Sequence, residues 1–205
     1  RLADIKKLIN TNDWDFASDA GKVFNNYLSS ADEHINPSHA SFANSVTKSQ
    51  KERVRKLVMA AKKIWNEATN PQSSFPATHD VYLKQYCLLP AEMHKWFGVI
   101  LFDEAQDANP VVSDFVYRQK CSKIVVGDTH QQLYRFRGAE NSIAKFIKKE
   151  QAEVLIVNTS FRFGPNVASV ATNLLDFKSN KTGSEPFPLF GNEKINDSVF
   201  THLPP

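Results

Sequence analysis

The chain has 205 residues, 41% hydrophobic and 23% charged, an ordinary globular balance, and its formal net charge of +3 singles out no partner. No run of about 18 apolar residues occurs, which excludes a helical membrane span. The start, Arg1-Leu2-Ala3-Asp4, has no apolar signal segment and no initiator Met, as expected of a trimmed chain or an excised fragment, and Cys87 and Cys121 lack zinc-ligand spacing, so two buried, reduced thiols are expected.

The first 90 residues read as helical. Leu2, Ile5, Leu8 and Ile9 fall at helical spacing, and so do Val23, Phe24, Tyr27 and Leu28, with Ser18-Asp19 in front of them as a predicted N-cap. Asn36-Pro37-Ser38 interrupts the pattern. A long helix is predicted over 44–68, with Val54, Leu57, Val58, Ala61, Ile64 and Trp65 on its apolar face. Its other face carries Lys48, Lys51, Arg53, Arg55, Lys56, Lys62 and Lys63 against Glu52 and Glu67. A loop over 70–76 follows, and then a helix through Tyr82, Leu83 and Tyr86 that Thr78-His79-Asp80 would cap.

Beyond residue 96 the texture changes. Three short apolar runs, 98–102, 123–127 and 154–157, alternate with helical stretches at 110–118 and 141–149. Apolar strands separated by helices predict an α/β fold, a parallel sheet with helices on both faces, and place chemistry at the carboxyl ends of the strands. The segment from Asp176 to Pro205 reads as mostly loop, with a short strand near Ser198-Val199-Phe200.

The first run delivers Asp103-Glu104-Ala105-Gln106-Asp107 to its carboxyl end, a Walker B arrangement. Mg²⁺ prefers oxygen ligands and keeps several waters, so one carboxylate, Asp103, suffices beside nucleotide phosphates. The next, Glu104, can orient and deprotonate an attacking water. The plain alternative is a solvated acidic loop. The second run leads into Gly127-Asp128-Thr129-His130-Gln131-Gln132-Leu133-Tyr134-Arg135-Phe136-Arg137-Gly138-Ala139. A glutamine amide can touch both a phosphate oxygen and a water, and aromatics two apart can stack on bases at about 1–3 kcal/mol each. The alternative is that Tyr134 and Phe136 are core residues; the flanking Arg135, Arg137 and Gly138 argue against plain burial. The third run leads to Arg162, suited to stabilising charge on phosphate oxygens or to a structural ion pair.

In this order, D-E-A-Q-D, G-D-T-H-Q-Q-L-Y-R-F-R-G-A and V-N-T-S-F-R-F-G resemble motifs II, III and IV of the superfamily 1 DNA helicases of the UvrD/Rep/PcrA class. P-A-T-H-D-V-Y-L-K, H-Q-Q, S-F-R-F-G and the stretch Tyr27 to Asp32 further resemble the F-box DNA helicases. The resemblance implies residues 1–90 as a helical subdomain of the 1B kind. It implies 91–205 as part of a RecA-like P-loop NTPase motor domain, 1A. It implies Asp103 as Mg²⁺ ligand and Glu104 as hydrolytic base. Gln131 and Arg162 would act at the γ-phosphate of ATP, Tyr134 and Phe136 on single-stranded DNA, and Arg137 between the nucleotide and DNA sites. Lys51 and Arg55 on the basic helix would lie near DNA, although a merely solvated charged face explains them as well. The implied partners are single-stranded DNA, duplex junctions and the remainder of the motor. The implied place is bacterial cytoplasm or nucleoid, or a eukaryotic nucleus.

The departures are specific. No G-x-x-x-x-G-K-[ST] loop is present, and Ala20-Gly21-Lys22-Val23 does not replace it. The expectation is a motor fragment that alone binds ATP weakly and does not hydrolyse it. The alternatives are an ATPase-dead single-stranded nucleic-acid-binding module, or a metal nuclease using Asp103, Glu104, Asp107 and Asp128.

Overall fold

The computed structural model describes residues 2–41, 47–131, 142–150, 152–183 and 185–200. It divides into two compact units, Arg1–Ala152 and Glu153–Pro205.

The first unit opens with a helical layer: α1 (Leu2–Leu8), α2 (Trp14–Ser29), α3 (Lys48–Thr69) and α4 (His79–Leu88). α1 ends where Asn10 turns to φ 54 and the amides of Asn10 and Thr11 reach back to the carbonyls of Lys7 and Lys6, a Schellman-type stop. The start predicted for α2 is wrong. The helix begins four residues before Ser18, because the Asp13 carboxylate accepts from the Phe16 amide and Ala17 and Ala20 extend the buried stripe backwards. Thr47 and Gln50 form a reciprocal capping box that starts α3 at Lys48. Thr78 does stand before α4, but its buried hydroxyl has no hydrogen-bond partner among the described residues, so it caps by position only.

The apolar faces of these helices close on one core through Phe24, Tyr27, Leu57, Ala61, Ile64 and Val81. Lys84 lies inside the layer, 0% exposed. Its ammonium donates to the carbonyls of Ser30 and Asp32 at 2.7 Å each and stands 4.4 Å from the centre of the Tyr27 ring. Burial lowers its pKa from 10.5 to about 8, against the pull of the Asp32 carboxylate.

The second part of this unit is a parallel pair, β1 (Val99–Phe102) and β2 (Ser122–Val125), joined through α5 (Pro110–Tyr117) and followed by α6 (Ser142–Glu150). Val99 pairs with Ser122 and Phe102 with Val125. Buried Gln119 fixes the segment leading into β1: its side chain accepts from the Met93 amide and donates to the Ala91 carbonyl. Ile100, Phe102 and Val125 pack with Val111, Phe115, Val116, Phe146 and Cys87 in a second core. The opposite face is exposed, at Val99, Leu101, Ile124 and Val126. Among the described residues the sheet has two strands and one packed face.

Cys87 is buried, and burial pushes its thiol up; Cys121, expected buried, is half-buried. No described helix is long and apolar enough to cross a membrane.

In the second unit the predicted third strand is absent. Val154–Val157 are all exposed and take no strand pairing; the one bridge, among the described residues, joins Thr159 to Phe190. In the segment after Asp176 the loop begins later than expected: α7 (Pro165–Thr182) continues into it and stops at Gly183, φ 68, and the described residues 185–200 form no helix or strand apart from the bridge at Phe190. Asp197 caps α7, accepting from the amides of Asn166 and Val167 at 3.1 and 3.0 Å. No strand forms at 198–200.

Candidate functional site

The parallel ladder between β1 and β2 continues past the strands. The Val126 amide donates to the Phe102 carbonyl at 2.8 Å, and the Ala105 amide to the Val126 carbonyl at 3.0 Å. Two segments that leave the sheet at different points of the sequence are therefore held side by side at its carboxyl edge, where ligands of such sheets bind.

Asp103 follows β1 directly and is exposed. Its Oδ1 accepts from the Glu104 amide at 2.9 Å, and Oδ2 has no partner among the described residues. Glu104 adopts a left-handed conformation, φ 50 and ψ 37, which residues other than glycine take uncommonly. That turn bends the chain into the short helix Ala105–Asp107 and aims the Glu104 side chain back at its own loop. Glu104 Oε2 accepts from Gln106 Nε2 at 2.6 Å. On the β2 side, Gln106 Oε1 accepts from the Asp128 amide at 3.1 Å. The Asp128 carboxylate in turn accepts from the His130 amide and from Gln131 Nε2, both at 2.8 Å, and the Gln131 amide donates to the Asp128 carbonyl.

Of the residues singled out in the sequence, the structure brings Asp103, Glu104 and Gln131 to one rim. Tyr134, Phe136 and Arg137 lie outside the described residues. Arg162 belongs to the second unit, exposed, its amide donating to Ser160 Oγ and its guanidinium without a partner among the described residues. Lys51 and Arg55 stand exposed on α3 in the helical layer, and Arg55 reaches Glu52 at 3.8 Å. Sequence reasoning assigned nothing to Gln106, the buried amide joining the two strand exits. Its signal was an amide set between Glu104 and Asp107 after an apolar strand.

The donor set suits a hard cation held jointly by protein, water and phosphate. Asp103 offers one open carboxylate oxygen, and among the described residues no three His, Cys, Asp or Glu side chains cluster into a metal cage. Residues 7–152 match the UvrD/REP helicase N-terminal domain, well over half of the chain. The chain belongs to the UvrD/REP helicase family. Among its relatives, F-box DNA helicase protein 1 of Schizosaccharomyces pombe is 37% identical over 160 residues, covering 76% of this chain and 18% of that protein. F-box DNA helicase 1 of Gallus gallus is 33% identical over 164 residues, 76% of this chain and 16% of the relative. DNA helicase II of Haemophilus influenzae is 32% identical over 91 residues, 42% of this chain and 12% of the relative. The chain thus spans less than a fifth of the length of these UvrD/REP relatives.

Proposed function

We propose that this chain is part of the first motor domain of an ATP-dependent DNA helicase or translocase acting in recombination or repair. The observation that carries the reading is the rim itself: Asp103, Glu104 and Gln131 gathered where β1 and β2 end. In this reading residues 91–205 belong to a RecA-like domain, 1A, and residues 1–90 to a helical subdomain. Two hydrophobic cores within Arg1–Ala152, one centred on Phe24 and Tyr27 and one on Val111 and Phe115, support a division near α4, which lends Cys87 to the second core. The exposed apolar face of β1 and β2 supports further motor elements beside it, since such a face is costly to leave in water.

Each residue has a task set by its chemistry. Asp103 Oδ2 would hold Mg²⁺ next to nucleotide phosphates. Glu104 Oε1, whose sister oxygen is engaged by Gln106, would accept the proton of a water. Gln131 would report the γ-phosphate through its amide, and Arg162 would meet the charge on it. When bound, Mg-ATP supplies the charge neutralisation and the hydrolysable bond. Tyr134 and Phe136 would stack on bases of single-stranded DNA and Arg137 would join the two sites. Lys51 and Arg55 would contact phosphates near a duplex junction. A motor of this kind works in nucleus, nucleoid or cytoplasm.

The experiment is DNA-stimulated ATP hydrolysis by the full-length protein that carries this segment. Turnover that Glu104→Gln abolishes is expected, with none from the 205 residues alone. Full turnover in the Glu104→Gln protein overturns the reading. The alternative reading is a nucleic-acid-binding module without ATPase activity. No turnover from the full-length protein, combined with DNA binding, selects it.

A further inference from the structure

Gln106 is 2% exposed and sits in the short helix immediately after Glu104. The two ends of its amide face different strand exits: Nε2 donates to Glu104 Oε2 at 2.6 Å, and Oε1 accepts from the Asp128 amide at 3.1 Å. The orientation is fixed by the partners. An ionised carboxylate only accepts and a backbone amide only donates, so a flipped carboxamide loses both bonds. Asp128 then holds Gln131 Nε2 at 2.8 Å. A continuous chain of hydrogen bonds therefore runs Glu104, Gln106, Asp128, Gln131. Gly127 leaves the room for it, since a Cβ there would stand 2.3 Å from Gln106 Oε1.

We propose that Gln106 is a positioning residue that links the Glu104 carboxylate to the loop carrying Gln131, so that movement of this loop resets Glu104. The inference rests on the reading of Glu104 as the hydrolytic base. In this role Gln106 acts through Glu104: it holds Glu104 Oε2, leaves Oε1 for the proton, and offsets the strain of a left-handed glutamate with a charge-assisted bond. The span requires a glutamine. A methionine fills the same volume and makes neither bond, whereas a glutamate keeps an acceptor for the Asp128 amide and sets a carboxylate against Glu104.

The test is steady-state ATP hydrolysis by the full-length protein, with and without an oligothymidine. Gln106→Met is expected to lower the DNA-stimulated kcat by about tenfold or more while KM for ATP stays within about twofold. Gln106→Glu is expected to lower it at least as far. A merely structural role would move KM and thermal stability together with kcat. Should Gln106→Met not fold, the amide resonances of the full-length protein decide: Glu104→Ala is expected to shift Asp128 and Gln131. Unchanged kcat in Gln106→Met, or unmoved Asp128 and Gln131 resonances, overturns the relay. Full turnover in Glu104→Gln instead overturns the functional reading beneath it.

Discussion

Gly127 faces Gln106 so closely that a Cβ built on the glycine would meet Gln106 Oε1 at 2.3 Å, Ile143 Cδ1 at 2.9 Å and the Ala105 amide nitrogen at 3.2 Å. Two of these neighbours cannot yield cheaply, one a bonded buried amide and the other backbone. Gly127→Ala should therefore destabilise the chain by roughly 1–3 kcal/mol in urea unfolding. Gly98→Ala, with nothing within 4 Å of its Cβ, should stay within about 0.5 kcal/mol of the parent. Equal stabilities for the two variants would refute the packing.

Glu104 at φ 50 gives a sign test of local strain. Glu104→Ala and Glu104→Gly both remove the carboxylate and differ in backbone freedom. A left-handed residue other than glycine costs about 1–2 kcal/mol, and glycine usually loses about 0.5–1 kcal/mol to unfolded-state entropy. Glu104→Gly should thus be the more stable of the two by up to about 1 kcal/mol, the reverse of the usual order. Chemical unfolding of both variants decides, and the usual order contradicts the conformation.

Lys84 sets a pH dependence. Its pKa is about 8 when folded and 10.5 when exposed, so between these values the unfolded chain holds a proton that the folded chain has released. Stability then rises with pH across that window, and the cost of the buried charge is complete below pH 8. Burial raises the Tyr27 phenol from 10.0 to about 12, with Asp32 adding to it, so stability falls again above pH 10. The stability of the parent relative to Lys84→Met should climb from pH 8 to pH 10, by at most about 1.4 kcal/mol per pH unit. A flat difference would place the ammonium in water.

The exposed face of α3 carries Lys48, Lys51, Arg55, Lys56, Lys62 and Lys63. If it contacts phosphates, Lys51→Ala with Arg55→Ala should weaken oligothymidine binding and reduce the salt slope by about 1–2. Fluorescence titrations at several salt concentrations measure it. An unchanged slope marks the face as merely solvated.

The parts of the fold written in local periodicity were legible. α3 follows from Val54, Leu57, Val58, Ala61 and Ile64, all buried on one side. Asp103 and Glu104 were found because an apolar strand ends at them. What depended on distant partners was not legible. Val154–Val157 read as a strand, yet an apolar run becomes one only when a neighbour supplies hydrogen bonds. The burial of Lys84 left no mark in local periodicity, because its acceptors, the carbonyls of Ser30 and Asp32, lie more than fifty residues away. Gln106 carried no periodic signal at all; its meaning appears only once β2 brings Asp128 beside it.

The most direct test of the rim uses Mn²⁺ in place of Mg²⁺ with ATP on the isotope-labelled 205-residue chain, since paramagnetic broadening reports even weak binding. The account predicts broadening centred on Asp103, Glu104 and the segment from Asp128 to Gln131, lost in Asp103→Asn. Broadening centred elsewhere, or unaltered by Asp103→Asn, would contradict it.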